Sequence, residues 1–84
     1  MADLRTEIIS QVQAGQLTPP AGHDLYGTVG QVEHAAGQGD RDAARYYAAR
    51  LSEKLRQDRT DGLVTWTAYQ ALVAKLDVLD GTLA

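Results

Sequence analysis

Two histidines, His23 and His34, are the residues in this sequence whose side chains most often bind metal ions. On one helix they would share a face, but at about 1.5 Å per residue they would lie roughly 16 Å apart along the axis. One metal ion cannot bridge that distance, and positions 27 and 38, four residues after each histidine, are glycine and glutamine. We therefore expect no metal ion and no other cofactor, and we interpret both histidines as solvated or half-buried.

Nucleophilic catalysis would require Ser10 or Ser52 to lie against a histidine and a third, orienting group. Both serines fall within predicted helices, where a hydroxyl usually bonds its own helix or water. A helix N-terminus after residue 39 is a weak anion site, but Asp40 and Asp42 would repel an anion there. The sequence therefore predicts that this chain is not an enzyme.

Basic residues are concentrated in one stretch, because six of the eight fall between positions 41 and 59 and give it a net charge of +3. Such a stretch can steer an acidic partner, and exposed aromatic residues beside arginines are typical of interface anchors. We predict an interaction surface at Arg41, Arg45, Tyr46, Arg50, Lys54 and Trp66. The alternative is a solvated helix face with ion pairs such as Asp42 with Arg45 and Lys54 with Asp58.

Five of these six residues lie in a stretch that is predicted to form an amphipathic helix over residues 41–58. Asp40 is a good N-cap, because its carboxylate can accept from the first backbone N–H groups. Apolar residues then recur at spacings of three and four, at Ala44, Tyr47, Ala48, Leu51 and Leu55. We expect this face to be the central seam on which the other helices pack. Because Tyr46 and Tyr47 are neighbours, one of them must be more exposed.

Three further helices are predicted, over residues 3–14, 19–36 and 66–80. Thr18 followed by Pro19 marks the start of the second helix, and Thr65 caps the last one. Gly15 and Gly62 are placed to end the preceding helices. Connections this short favour antiparallel neighbours, so the sequence predicts an all-α fold: a compact antiparallel bundle of about four helices with short connections, one domain over residues 1–84. No convincing internal repeat is detected.

The buried stripes follow from the same spacing. They are expected at Leu4, Ile8, Ile9 and Val12, at Ala21, Leu25, Val29, Val32 and Ala36, and at Tyr69, Leu72, Val73, Leu76, Leu79 or Asp80, and Leu83. Gly27 and Gly30 interrupt the second helix at a cost of about 1 kcal/mol each relative to alanine. They indicate either a close helix crossing or a shallow groove for a ligand or partner.

Composition narrows the class of protein further. A net charge of −3 and a pI near 5.1 argue against binding to nucleic acid or to an anionic membrane. No apolar run is long enough for direct membrane insertion, and the N-terminus lacks the pattern of a signal peptide. With no cysteine, the chain has no disulfide and no thiolate nucleophile.

The order of caps and turns resembles a known family. Gly15-Gln16-Leu17-Thr18-Pro19 stands at the start of the second helix, Gly39-Asp40 with Ala44 at the third, and Gly62-Leu63-Val64-Thr65 at the fourth. This pattern is similar to the FIMAH domain of secreted hydrolases and to small helical domains appended to actinobacterial serine/threonine protein kinases. The similarity covers roughly residues 4–83. Gly27, Gly30, Trp66 and the pair Tyr46-Tyr47 depart from it.

The resemblance implies a non-catalytic accessory or protein-interaction domain that carries no kinase residues of its own. It would then be the C-terminal part of a larger signalling protein. If that protein is such a kinase, the domain would lie outside the cell and act as a sensor; otherwise it would lie in the cytoplasm. The alternative is a free-standing helical regulator that self-associates through its last helix and through Tyr46, Tyr47 and Trp66. The sequence identifies neither the partner nor the ligand.

Overall fold

The computed structural model describes residues 2–83, and its all-α fold of four helices is the one that the sequence predicts. The helices are α1 (Ala2–Gln13), α2 (Pro19–Gly37), α3 (Arg41–Thr60) and α4 (Trp66–Leu83). Helix α3 continues two residues beyond the predicted end. Helix α4 continues three residues beyond its predicted end, through Asp80 and Gly81.

Two of the three predicted N-caps form. The Asp40 side chain accepts a hydrogen bond from the backbone N–H of Ala43 at 3.0 Å, and the Thr65 hydroxyl accepts one from the N–H of Ala68 at 3.2 Å. Thr18 lies at the N-cap position of α2 but its side chain makes no capping bond. Pro20, at the second helical position, removes one of the two backbone N–H groups that such a bond would use, and Thr18 does not bond the other, that of Ala21.

Polar contacts near the helix ends show that neighbouring helices run antiparallel. Arg5 at the start of α1 lies 3.1 Å from Glu33 near the end of α2. The Arg45 guanidinium, in the first turns of α3, donates to the carbonyl of Leu83 at the end of α4. Each helix packs beside two others in the ring order α1, α2, α3, α4. Helix α3 therefore does not pack beside all three other helices, as the sequence suggested, because α1 lies across the interior from it.

The two connections on one end of the bundle are joined to each other. Gly15 and Gly62 adopt φ values of 74° and 75°, which only glycine adopts without strain. The N–H of Thr18 donates to the Leu63 carbonyl at 3.0 Å, and the N–H of Thr65 donates to the Gln16 carbonyl at 2.9 Å. Leu17 and Val64, which stand opposite each other, are both buried.

This pairing reveals an internal repeat that the sequence analysis did not detect. Adding 47 to a residue number in the hairpin α1–α2 gives the matching position in the hairpin α3–α4. Seven such pairs are buried on both sides: Leu4 with Leu51, Ile8 with Leu55, Leu17 with Val64, Ala21 with Ala68, Leu25 with Leu72, Val29 with Leu76, and Val32 with Leu79. The core is thus built from two equivalent helical hairpins.

Most of the expected buried stripes form, with two corrections. Ile9 is 45% exposed, because it follows Ile8 directly and a neighbour on a helix points about 100° away. Ala36 is exposed and Ala35 is buried in its place, three residues after Val32. At the end of α4, Leu79 rather than Asp80 continues the buried stripe.

Of the two interpretations of Gly27 and Gly30, the close helix crossing is wrong. At Gly27 and Gly30 an added Cβ would meet nothing within 4 Å, so no helix crosses closely there. At Gly22, which is buried, a Cβ would overlap the side chain of Val12 on α1. The close approach of two helices is therefore at Gly22.

Candidate functional site

The predicted surface residues on α3 fall on different sides of the helix. Lys54 lies on the side that faces α2, where its ammonium group bonds both carboxylate oxygens of Asp24 at 2.9 and 3.0 Å. Arg45 lies on the side that faces α4, where its Nε donates to the Leu83 carbonyl at 2.8 Å. Both side chains therefore hold α3 to a neighbouring helix. The suggested intrahelical partners, Asp42 for Arg45 and Asp58 for Lys54, are replaced by groups on other helices.

Tyr46 is exposed on α3, and Arg50 lines an open groove between α2 and α3 together with Lys54, His23 and Gly27. Tyr46 and Arg50 are four residues apart, so they are neighbours on the helix surface. Tyr46 is 58% exposed, and its ring packs edge to face against the half-buried Tyr47 with centroids 5.3 Å apart. Arg50 and Arg41 are exposed, and neither forms an ion pair among residues 2–83. Arg41 comes nine residues before Arg50 and so points to the opposite side of the helix; we call Tyr46 and Arg50 the α3 ridge.

Trp66 belongs to a separate cluster at the other end of α3. Its ring stacks on Tyr69 with centroids 5.6 Å apart and an interplanar angle of 20°. The guanidinium carbon of Arg59 lies 4.3 Å from the Trp66 centroid and 5.4 Å from that of Tyr69. Because Tyr46 and Arg59 are separated by about 20 Å along the helix, Trp66 does not share a surface with Tyr46.

Asp58 is a buried carboxylate that the sequence analysis treated as an ordinary surface residue. It is 9% exposed, and its Oδ2 has no hydrogen-bond partner among the described residues. Burial raises the pKa of the Asp58 carboxyl, the carboxylates of Asp24 and Asp61 raise it further, and Lys54 opposes them. The available signal was position: Asp58 comes three residues after Leu55 and so continues the buried stripe.

The Asp58 charge is expected to destabilise the fold near neutral pH. Since the folded protein holds the proton more tightly than the unfolded chain, stability falls as the pH rises through the window between the two pKa values. We expect Asp58→Asn to raise the free energy of unfolding at pH 7 by about 1 kcal/mol. In urea melts, acidifying both proteins from pH 7 toward the ordinary pKa of an aspartate, about 4, should narrow the difference between the wild type and the variant.

Asp77→Asn is the matched control for this prediction, because Asp77 is exposed on α4. It should change the stability at pH 7 by much less than Asp58→Asn. A variant Asp58→Asn that is less stable than the wild type at pH 7 would contradict the assignment of an unfavourable buried charge.

The interior of the bundle has almost no unfilled space. Its central cavity is about 10 Å³, room for at most one water molecule, and its walls are the side chains of Leu4, Ile8, Leu25, Leu51, Leu55, Leu72 and Leu76. His23 and His34 are both exposed, and residues 2–83 contain no group of three or more side chains arranged to hold a metal ion. None of the four described helices is both long and apolar enough to cross a membrane.

Several open grooves lie on the outside of the bundle, and two of them have the most apolar linings. One, of about 570 Å³, runs between α2 and α3 and includes the exposed glycines Gly27 and Gly30 with His34 and Tyr47. The other, of about 340 Å³, lies between α1 and α2 and is lined mainly by apolar side chains. The glycines of α2 thus border a shallow groove, which was one of the two interpretations of the sequence.

Four antiparallel helices around one apolar interior define a small all-α bundle domain. Within that class the chain belongs to the FIMAH domain family, whose family model matches residues 1–80. The family resemblance predicted from the helix-start motifs is therefore confirmed. Neither the curated proteins nor the solved structures include a significant match to this chain.

Proposed function

We propose that this FIMAH domain is a non-catalytic accessory domain that binds an acidic protein partner through the α3 ridge. The family match and the filled interior support an interaction role, because a substrate pocket ordinarily needs roughly 300 Å³ or more of enclosed space with converging polar groups. The parent protein is an actinobacterial serine/threonine kinase or a similar multidomain protein, with this domain toward its C-terminus and, in a kinase, outside the cell.

The observation that carries the proposal is the position of Tyr46 on the most basic helix. Residues 41–59 carry a net charge of +3 in a chain of net charge −3. Three cations of that stretch already have contacts within the bundle: Arg45, Lys54 and Arg59. Arg41, Arg50 and Arg56 have no such contact among residues 2–83, and Arg50 lies one helical turn after the exposed ring of Tyr46, the combination of residue types that dominates binding energy at interfaces.

The binding test compares two charge reversals of equal size. A short, fluorescently labelled acidic peptide that contains one aromatic residue is titrated with the domain at low salt. Arg50→Glu should weaken binding about tenfold, because one cation on the ridge becomes an anion. Lys75→Glu, at an exposed position on α4, makes the same change in charge and should weaken it much less.

Equal losses in Arg50→Glu and Lys75→Glu would show that only net charge matters and would contradict a specific site on α3. The open reading frame tests the accessory role separately. A kinase or hydrolase catalytic domain upstream of this domain is expected, whereas a reading frame of this chain alone would contradict that role.

The second candidate is a free-standing helical regulator that self-associates. It is favoured by two large apolar side chains that α4 leaves exposed, Trp66 at 54% and Val78 at 69%. Sedimentation equilibrium distinguishes the two proposals. A strictly monomeric species at high micromolar concentration would exclude the regulator, and a tight dimer would favour it over the accessory domain.

A further inference from the structure

Two open grooves between α2 and α3 join into one channel along the seam of these helices. One, of about 460 Å³, lies beside His23 on α2 and beside Arg50 and Lys54 on α3. The other, of about 570 Å³, extends to Gln38 and Asp40, where the chain passes from α2 to α3. Both are lined by Gly27 and Gln31, so they are continuous, and we call them together the α2–α3 groove.

The α2–α3 groove is long, and side chains are missing from the middle of its α2 wall. From Asp40 to Lys54 it follows α3 for about 21 Å, at about 1.5 Å per residue. An extended chain of about six residues covers that distance. At Gly27 and Gly30 an added Cβ would meet nothing within 4 Å. Another polypeptide can therefore approach the backbone of α2 closely at these two positions.

The side chains that surround the two glycines suit an extended segment better than a helix. His23, Gln31, His34 and Gln38 line the α2 wall and are exposed. Imidazole and amide groups both donate and accept hydrogen bonds, and an extended segment presents unpaired backbone N–H and C=O groups to them. A helix pairs those groups internally and docks through an apolar stripe. The apolar side chains of this lining are only those of Ala35, Ala43 and Tyr47.

Arg50 gives the groove a positive charge that has no counterpart. Four charged side chains line the groove, and three of them already bond groups of opposite charge or polarity. Lys54 bonds both carboxylate oxygens of Asp24, and Asp40 accepts from the N–H of Ala43 at the positive end of the α3 dipole. Arg50 forms no ion pair among residues 2–83. The groove therefore favours an occupant that brings a carboxylate to Arg50.

We propose that the acidic partner of the α3 ridge binds as an extended segment in the α2–α3 groove. A carboxylate of the segment pairs with Arg50, and its backbone crosses Gly27 and Gly30 between the polar side chains of α2. The site rests on the proposed function, since Arg50 belongs to both the α3 ridge and the α2–α3 groove. A segment bound there is extended, about six residues long, and acidic where it passes Arg50.

The first test varies the length of labelled acidic peptides of roughly three, six and nine residues, each with one aromatic residue. In fluorescence anisotropy with the whole domain at low salt, affinity should rise about tenfold from the shortest peptide to the middle one and change little beyond it. A helical occupant would need about 14 residues to span the same distance. Affinity that keeps rising steeply beyond six residues would overturn the extended conformation.

The second test fills the groove without adding charge. Gly30→Leu should weaken the six-residue peptide about tenfold or more, because the new side chain occupies the path of the segment. Gly81→Leu is the matched control, since Gly81 is exposed on α4 and an added Cβ there also meets nothing within 4 Å. It should leave binding unchanged. Both variants should be at least as stable as the wild type in urea melts, because leucine has a higher helix propensity than glycine.

The outcomes separate this groove from the α3 ridge. If Arg50→Glu weakens peptide binding and Gly30→Leu does not, the groove is overturned and the ridge stands. Equal losses in Arg50→Glu and Lys75→Glu would overturn both. Self-association in sedimentation that Gly30→Leu abolishes would assign the groove to a second copy of the chain and would also overturn the proposal.

Discussion

Replacing Leu51 with alanine should lower the free energy of unfolding by about 2–5 kcal/mol. Leu51 is 3% exposed and lies in the middle of α3, in the wall of the small central cavity. Six further leucine and isoleucine side chains line that cavity, so the space left by the missing carbons cannot be filled without moving several helices. Urea denaturation followed by circular dichroism measures the change directly.

Such a loss would be a large part of the total stability, which is about 5–15 kcal/mol for ordinary domains. Val78→Ala provides the control, because it also removes a branched apolar side chain from a helix but at an exposed position of α4. It should change the stability by only a few tenths of a kcal/mol. A loss below about 1 kcal/mol for Leu51→Ala would contradict its place in the core.

Gly22→Val should destabilise the protein by about 1–3 kcal/mol, since it inserts carbon atoms where α1 and α2 already touch. A Cβ at this position overlaps the side chain of Val12. The branched side chain of Val12 has one strongly preferred rotamer on a helix and cannot easily turn away. Thermal or urea melts would show the loss.

Gly27→Val is the matched control, because it makes the same substitution on the same helix where an added Cβ meets nothing within 4 Å. It should be close to neutral or slightly stabilising, as valine has a somewhat better helix propensity than glycine. Val12→Ala in the Gly22→Val background should restore part of the stability, which a double-mutant cycle measures. Equal effects of the Gly22 and Gly27 substitutions would rule out a close helix approach at Gly22.

Local signals carried most of the fold prediction. Asp40 and Thr65 are capping residues whose short-range hydrogen bonds depend only on the next few residues. Gly15 and Gly62 end their helices because glycine adopts the required positive φ. These features need no information from distant parts of the chain, so the sequence was sufficient to place them.

The internal repeat was not detectable in the same way. Three of the seven matched core pairs are identical, and the other four keep only apolar character, for example Ile8 with Leu55 and Val29 with Leu76. Several outer positions differ in character, for example Val12, which matches Arg59. A core constrains volume and polarity more than identity, so the equivalence became visible only when the two loops were seen to pair.

The candidate site was even less predictable from the sequence than the internal repeat. The sequence placed Arg45, Lys54 and Trp66 on one surface with Arg41, Tyr46 and Arg50, because all six are polar or aromatic and lie on or near one helix. In the folded protein, Lys54 forms an ion pair with Asp24 on α2, and Arg45 donates a hydrogen bond to the Leu83 carbonyl on α4. Long cationic side chains reach partners on neighbouring helices, and helical spacing alone does not indicate which neighbour is there. That the α3 ridge binds a partner stays a prediction.

The sequence by itself determined the four helices, the turns between them and most of the residues that are buried, because caps, glycines and apolar spacing act over a few residues. The tertiary structure decided which glycine allows two helices to come into contact, which cationic side chains bond groups on neighbouring helices, and where a groove stays open. Those features depend on atoms that are distant in the sequence and meet only when the two hairpins pack. The groove between α1 and α2 exists because Gly22 and Val12 lie where the other hairpin has Tyr69 and Arg59.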